Sequence, residues 1–281
     1  MRRLIVFFAA IALVASLAGP GVALASNRPV EYLALGDSLA FGFNPLADPT
    51  DPAHFVGYPE RATIALRDTL TNASCPGETS SHLINLAGSD NGCGTWRGLG
   101  LPLHVGYASA TQSQLAFADA FLKEHPKTQV VSLDIGANDV FVLQKSCGYD
   151  AGCILAGLPN VVATFSANLD TIYGHLRHED GYNHKLVALS FYARDYVSDP
   201  VSTAVASLMR DALKERTEAW GGVLADGFEA FRDASAPYGG DTCAAGLRIV
   251  LSTSPLVCDD HPSPLGRDLL AQALVNALRP D

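Results

Sequence analysis

Tyr32-Leu33-Ala34-Leu35-Gly36-Asp37-Ser38-Leu39 joins an apolar run of strand length to a turn tetrapeptide that ends beside a serine. A buried strand running out into Gly-Asp-Ser delivers a hydroxyl to the rim of a sheet. Helix N-termini and loops converge on ligands at that rim in open α/β folds. Taken alone, Gly36-Asp37-Ser38-Leu39 reads equally as a turn with a capping serine and as a nucleophile turn. Its meaning depends on what else reaches the same edge.

Outward from this stretch, short apolar runs alternate with amphipathic ones, the pattern of a parallel α/β sheet. The first strand is expected at Glu31–Leu35, a short second one just before Cys75, a third at Gln129–Ile135, a fourth at Lys185–Ser190 and a fifth opening at Gly222–Ala225. The QVVSLDI run at 129–135 is nearly continuously apolar, as a strand covered on both faces requires. Tyr58-Pro59 opens a helix with Ala62, Ile64, Ala65 and Leu66. Pro159 marks the first turn of another, with Val162, Phe165, Leu169, Ile172 and Leu176 at spacings of three and four. Asp199-Pro200 starts a helix with Val205, Leu208, Ala212 and Leu213 on one side. Ser263-Pro264 starts the last, with Leu265, Leu269, Ala273 and Ala277 facing inward. Phe43–Phe55 and Ala87–Gly106 read as long surface loops of the kind that border sites. No linker or repeat divides the sequence, so residues 26–281 are expected to form a single domain.

The chain has 281 residues and a formal net charge of −10. Arg2 and Arg3, the apolar stretch Leu4–Leu17 and the small-x-small site Ala23-Leu24-Ala25 read as a secretory signal peptide over residues 1–25. An uncleaved anchor is the competing reading. No later segment reads as apolar for long enough to cross a bilayer. The acidic balance argues against a nucleic-acid partner and offers no electrostatic attraction to anionic lipid. Six cysteines in an exported chain are most simply three disulfides. The spacing suggests the local pairs Cys75–Cys93, Cys147–Cys153 and Cys243–Cys258, while other connectivities stay open. A metal site is the weaker reading, because the sequence holds no C-x-x-C pair.

Four blocks carry chemistry, in order: Gly36-Asp37-Ser38-Leu39; Asn72-Ala73-Ser74-Cys75-Pro76-Gly77-Glu78-Thr79; Gly136-Ala137-Asn138-Asp139 after the QVVSLDI strand; and Asp259-Asp260-His261-Pro262 before the last helix. All fall where strands end or helices begin. In these blocks the chain resembles the GDSL esterases and lipases, also called SGNH hydrolases after their serine, glycine, asparagine and histidine. YLALGDSLAFG, NASCPGETS, SLDIGAND and DDHPSPLG look most like secreted bacterial lipases and phospholipases with three disulfides. The resemblance implies a three-layer α/β/α sandwich with a central parallel sheet of about five strands, the flavodoxin-like SGNH fold.

Ester hydrolysis needs a nucleophile, a base and donors for the developing oxyanion. Carried over block by block, Ser38 would attack and His261 would take its proton. The oxyanion would lie among the backbone N–H groups of Ser38 and Gly77 and the side-chain amide of Asn138. Glycine suits the second position because a Cβ would hold the backbone away from substrate. An uncharged amide donor suits the third. Alone, Gly77 could be a turn glycine, Asn138 a cap and His261 a helix-entry residue. Many family members carry an acid three residues before the histidine, but that position here is Cys258. Residue 259 is therefore expected to orient the imidazole, through either the Asp259 carboxylate or its main-chain carbonyl.

Other residues weigh less. His175 and His178, three apart on a helix, are read as surface histidines before metal ligands. Asp37 supports the turn at Ser38 by favourable charge at a helix start. Asp134 and Asp139 are read as structural carboxylates near the site. Phe41, Phe43 and Trp96 are candidates either for an acyl groove or for loop packing. No G-x-S-x-G surrounds any serine, so the α/β-hydrolase elbow is not offered. The expected protein is a secreted, monomeric, cofactor-free carboxylic ester hydrolase without a metal. Its expected substrates are small-molecule or lipid-like acyl esters, with at most a transient contact with a lipid interface. A carbohydrate O-acetylesterase and a non-catalytic secreted binding protein of the same fold are the alternatives.

Overall fold

A computed structural model describes residues 30–279, and the expected signal peptide at 1–25 lies outside the described residues. Five parallel strands, β1 (Val30–Gly36), β2 (Asp68–Asn72), β3 (Val130–Asp134), β4 (Lys185–Leu189) and β5 (Val223–Ala225), form a sheet ordered β2-β1-β3-β4-β5. Tyr32 lies opposite both Leu70 and Val130, which puts β1 between β2 and β3. The order reverses direction between β1 and β3, and open α/β sheets hold ligands at the carboxyl edge of such a switch point.

Side-chain alternation along β1 divides the core in two. Leu33 and Leu35 enter one cluster and Tyr32 and Ala34 the other, as a strand covered on both faces demands. The helices are α1 (Ser38–Phe41), α2 (Tyr58–Leu66), α3 (Ser80–Ile84), α4 (Cys93–Gly98), α5 (Gln114–Glu124), α6 (Ala137–Ser146), α7 (Ala151–Gly174), α8 (Pro200–Ala219), α9 (Gly227–Ser235) and α10 (Pro264–Leu278). Leu83, Leu115, Val140, Phe165 and Met209 bring α3 and α5–α8 onto the first face. Leu39, Tyr58, Phe231 and Leu270 bring α1, α2, α9 and α10 onto the second. The architecture is the expected three-layer α/β/α sandwich.

Several local expectations are corrected. The long helix begins at Ala151, capped by the Asp150 side chain, and Pro159 lies inside it. That residue faces solvent, where water can satisfy the carbonyl its missing N–H leaves free. Residues 151–179 are long and apolar enough, at a mean hydropathy of 1.3, to pass as a membrane span. The segment nevertheless packs Phe165, Leu169, Ile172 and Leu176 into the sheet core, and alanines and Leu155 on its outer face raise the average.

In α8, Leu208 is exposed and Met209 takes the buried position. In α10, Leu265 is exposed, while Gly266, Arg267, Leu270, Ala271, Leu274, Val275 and Leu278 are buried, so the inward stripe is turned by one residue. An antiparallel hairpin of β6 (Arg248–Thr253) and β7 (Leu256–Pro262), absent from the sequence reading, precedes α10. Three disulfides join Cys75 to Cys93, Cys147 to Cys153 and Cys243 to Cys258.

Candidate active site

β1 ends at Gly36, whose φ of +144° and close approach to Asp134 exclude a side chain, since a Cβ would collide with the Asp134 carboxylate and carbonyl. The backbone N–H of Asp37 then donates to the Asp134 carbonyl (3.2 Å), and Asp37 Oδ1 accepts from the Leu39 N–H (3.0 Å), capping α1. The N–H of Ser38 donates to no partner among the described residues, and its hydroxyl faces a cavity.

Burial raises both Asp37 and Asp134, and two enclosed carboxyls this close do not both ionise. Asp134 is pushed well up, by its enclosure first and then by the charge of Asp37. In Asp37 the bonds accepted from the Leu39 N–H and from Asn138 oppose the rise that burial causes.

The turn is fixed from a second side by Gln114, which is fully buried. Its Nε2 donates to the Gly36 carbonyl (3.0 Å) and to Glu78 Oε2 (3.1 Å), and its Oε1 accepts from the Gly36 N–H (2.5 Å). Glu78 in turn holds His82 in a short buried contact. One side-chain amide thus links the end of β1, two residues before Ser38, to the loop that carries Gly77. Nothing in the spacing of the sequence announced Gln114, which lies 78 residues from Gly36.

Residue 261 reaches the serine from the other end of the chain. His261 Nε2 lies 2.9 Å from Ser38 Oγ, and His261 Nδ1 lies 2.5 Å from Asp259 Oδ1. The Asp259 carboxylate also accepts the His261 backbone N–H at 3.0 Å, so it is the carboxylate that faces the ring. Burial acts to raise Asp259, but the hydrogen bonds and charge of His261 outweigh it and hold the carboxyl below its usual range. With Nδ1–H donating to Asp259, Nε2 presents its lone pair to the Ser38 hydroxyl.

Three features seat the imidazole. The Phe43 ring lies 4.7 Å from it, centroid to centroid. The Cys243–Cys258 bridge anchors β7 three residues upstream. Arg267 donates to the carbonyls of Pro262 (3.0 Å), Val56 (3.0 Å) and Phe43 (3.1 Å). This last contact explains a charged residue within the buried face of α10.

Gly77 and Asn138 complete the rim. Gly77 has φ +80°, and a Cβ there would lie 2.7 Å from the Cα and N of Gly92. The need for glycine is therefore packing against the 87–106 loop, where the sequence suggested access for substrate. The Gly77 N–H has no partner among the described residues. Asn138, in the first turn of α6, donates through Nδ2 to Asp37 Oδ2 (3.0 Å) and accepts from Asn91 Nδ2 (2.7 Å). These bonds fix which end of the amide is nitrogen and leave Nδ2 a second hydrogen. The next residue, Asp139, accepts from the N–H (3.0 Å) and hydroxyl (2.5 Å) of Ser80, and its burial raises it to about 6.

Ser38, Gly77, Asn138, Asp259 and His261 all line one cavity of about 640 Å³. Its remaining wall is largely apolar, with Phe43, Trp96, Phe141, Ile154, Phe191 and Val205. Phe41 is instead fully buried, packed with Phe55 and Trp96 in an aromatic cluster beneath the two long loops. His175 approaches Asp119 at 3.5 Å and His178 stands against Trp220, so the two histidines meet different neighbours.

Comparison with protein-family models and with curated protein sequences gives no match. Solved structures do match over most of the chain. A phospholipase A1 from Streptomyces albidoflavus NA297 is 18% identical, with 89% of this chain and 100% of that one covered and a TM-score of 0.58. An extracellular lipase from Streptomyces rimosus is 19% identical, with 88% and 99% covered and a TM-score of 0.56. An acetylxylan esterase from Geobacillus stearothermophilus is 16% identical, with 90% and 95% covered and a TM-score of 0.53. At these identities the shared property is the fold.

Proposed function

We propose that this protein is a serine hydrolase of the SGNH type that cleaves carboxylic esters, with Ser38, His261 and Asp259 as its triad. The observation that carries the reading is the relay Ser38 Oγ to His261 Nε2 (2.9 Å) and His261 Nδ1 to Asp259 Oδ1 (2.5 Å), assembled from opposite ends of the chain. Its likeness in fold to lipases and esterases supports the same reading.

His261 accepts the Ser38 proton as Oγ attacks the ester carbonyl, and Asp259 stabilises the resulting imidazolium. The carbonyl oxygen, now negative, takes the unshared N–H groups of Ser38 and Gly77 and the second Nδ2 hydrogen of Asn138. His261 returns its proton to the leaving alcohol. Water, activated by the same imidazole, then releases the acid from the acyl-Ser38 intermediate.

A largely apolar cavity favours lipid-like acyl esters over acetylated carbohydrate, whose hydroxyls would need polar partners along the wall. Three disulfides, together with an N-terminal sequence that reads as a signal peptide, support an extracellular setting. The test is a panel of chromogenic esters from acetyl to long acyl, with Ser38→Ala as the blank. Hydrolysis by the wild type that disappears in the variant is expected. Equal turnover by both, or none by either, would overturn the proposal and leave the binding-protein alternative.

A further inference from the structure

The cavity borders α6. Asn138, Phe141 and Gln144, spaced by three residues, line it from that helix, and Ile154 of α7 with Val201 and Val205 of α8 also line it. From Ala137 to Gln144 the lining residues of α6 span about 10 Å of helix. Tyr149, in the turn that follows the last residue of α6, also lines the cavity yet is 68% exposed.

Tyr149 is held there at a conformational cost. Its φ is +64°, the left-handed region that bulky residues seldom occupy, directly after Gly148 at +56°. The Cys147–Cys153 bridge closes the short loop around it. Every N–H in the turn is engaged: Gly148 donates to the Lys145 carbonyl (3.1 Å), Tyr149 to the Gln144 carbonyl (2.9 Å) and Asp150 to the Cys147 carbonyl (3.1 Å). A large aromatic side chain fixed in a strained backbone, packed against little of its own protein and turned to a cavity, is poised to gain its contacts from a ligand.

We propose that Tyr149, clamped by the Cys147–Cys153 loop, is a specificity-determining residue that receives the distal part of a long acyl chain through its ring. The inference rests on the ester-hydrolase reading and adds which substrates that site prefers. An acetyl group ends near Ser38, whereas a dodecanoyl chain lying along α6 reaches the ring.

The experiment compares kcat/KM for acetyl and dodecanoyl p-nitrophenyl esters in the wild type, Tyr149→Ala, Tyr149→Phe and the double variant Cys147→Ser, Cys153→Ser. In Tyr149→Ala the dodecanoyl-to-acetyl ratio is expected to fall about tenfold, chiefly through KM. Tyr149→Phe, which keeps the ring, should retain the wild-type ratio. The double variant, which frees the loop but keeps the tyrosine, should show a fall in the same direction as Tyr149→Ala. An unchanged ratio in Tyr149→Ala, or a ratio in Tyr149→Phe as low as in Tyr149→Ala, would overturn the assignment while leaving the hydrolase reading intact. A wild type inactive on both esters would overturn the hydrolase reading first and this inference with it.

Discussion

Ser38 and His261 meet at 2.9 Å, but the protein holds them by contrasting means. The serine follows a strand buried on both faces, and internal hydrogen bonds restrain its turn, among them Asp37 to Leu39, Gln114 to Gly36, and the Cys75 N–H to the Gly36 carbonyl at 3.1 Å. The histidine rides on a hairpin outside the main sheet, with Val250, Leu251, Leu256 and Val257 exposed. A disulfide, one aromatic ring and the Arg267 guanidinium hold it. One side is rigid because it belongs to the core. The other is rigid because it is tethered to the core.

The contrast can be broken first at the acid. Asp259→Asn should lower kcat about 10⁴-fold with little change in KM, because the amide no longer fixes the tautomer that leaves Nε2 free. Near-normal kcat in that variant would move the orienting role to the residue 259 carbonyl. The same substitution should alter acid sensitivity. Asp259 is depressed in the folded protein, so its contribution to stability is present above its unfolded value and lost as pH falls through the lower folded one. Unfolding measured across the acid range should therefore show a shallower pH dependence in Asp259→Asn than in the wild type.

Next, one variant on each side separates stability from activity. Gln114→Ala leaves the buried Gly36 N–H without its partner and takes one donor each from the Gly36 carbonyl and the Glu78 carboxylate, which keep the Cys75 N–H and His82. It is expected to cost about 2–4 kcal/mol in denaturant unfolding, with activity lost as the core loosens. Replacing Cys243 and Cys258 by serine should cost a similar or smaller amount, about 3 kcal/mol. Here, however, kcat should fall at temperatures where circular dichroism still reports an intact sheet. Equal loss of fold and activity in both variants would erase the distinction between core and tether.

The same contrast marks what the sequence made legible. β1, β3 and β4 declared themselves because strands covered on both faces must be apolar throughout, and Ser38 could be read from the strand end. The four blocks placed Gly77, Asn138 and His261 on one rim. Gln114 and Arg267 were not legible, because each acts on backbone groups far away in sequence and neither spacing nor composition records such a contact. Asn91, whose amide fixes that of Asn138, stayed hidden in a glycine-rich loop for the same reason. The β6–β7 hairpin escaped because its exposed apolar residues lack the clean alternation of a half-buried strand. Pro159 misled because proline at a helix start and proline on a solvent-facing turn look identical until the preceding turn is known to be helical.

The most direct measurement is stoichiometric labelling with an alkylphosphonate fluoride, read by peptide mass spectrometry. One phosphonyl group on Ser38 is expected in the wild type, none in Ser38→Ala, and strongly slowed labelling in His261→Ala. Modification of another serine, or an unmodified Ser38 in folded protein, would mean that hydroxyl and imidazole do not work as a pair.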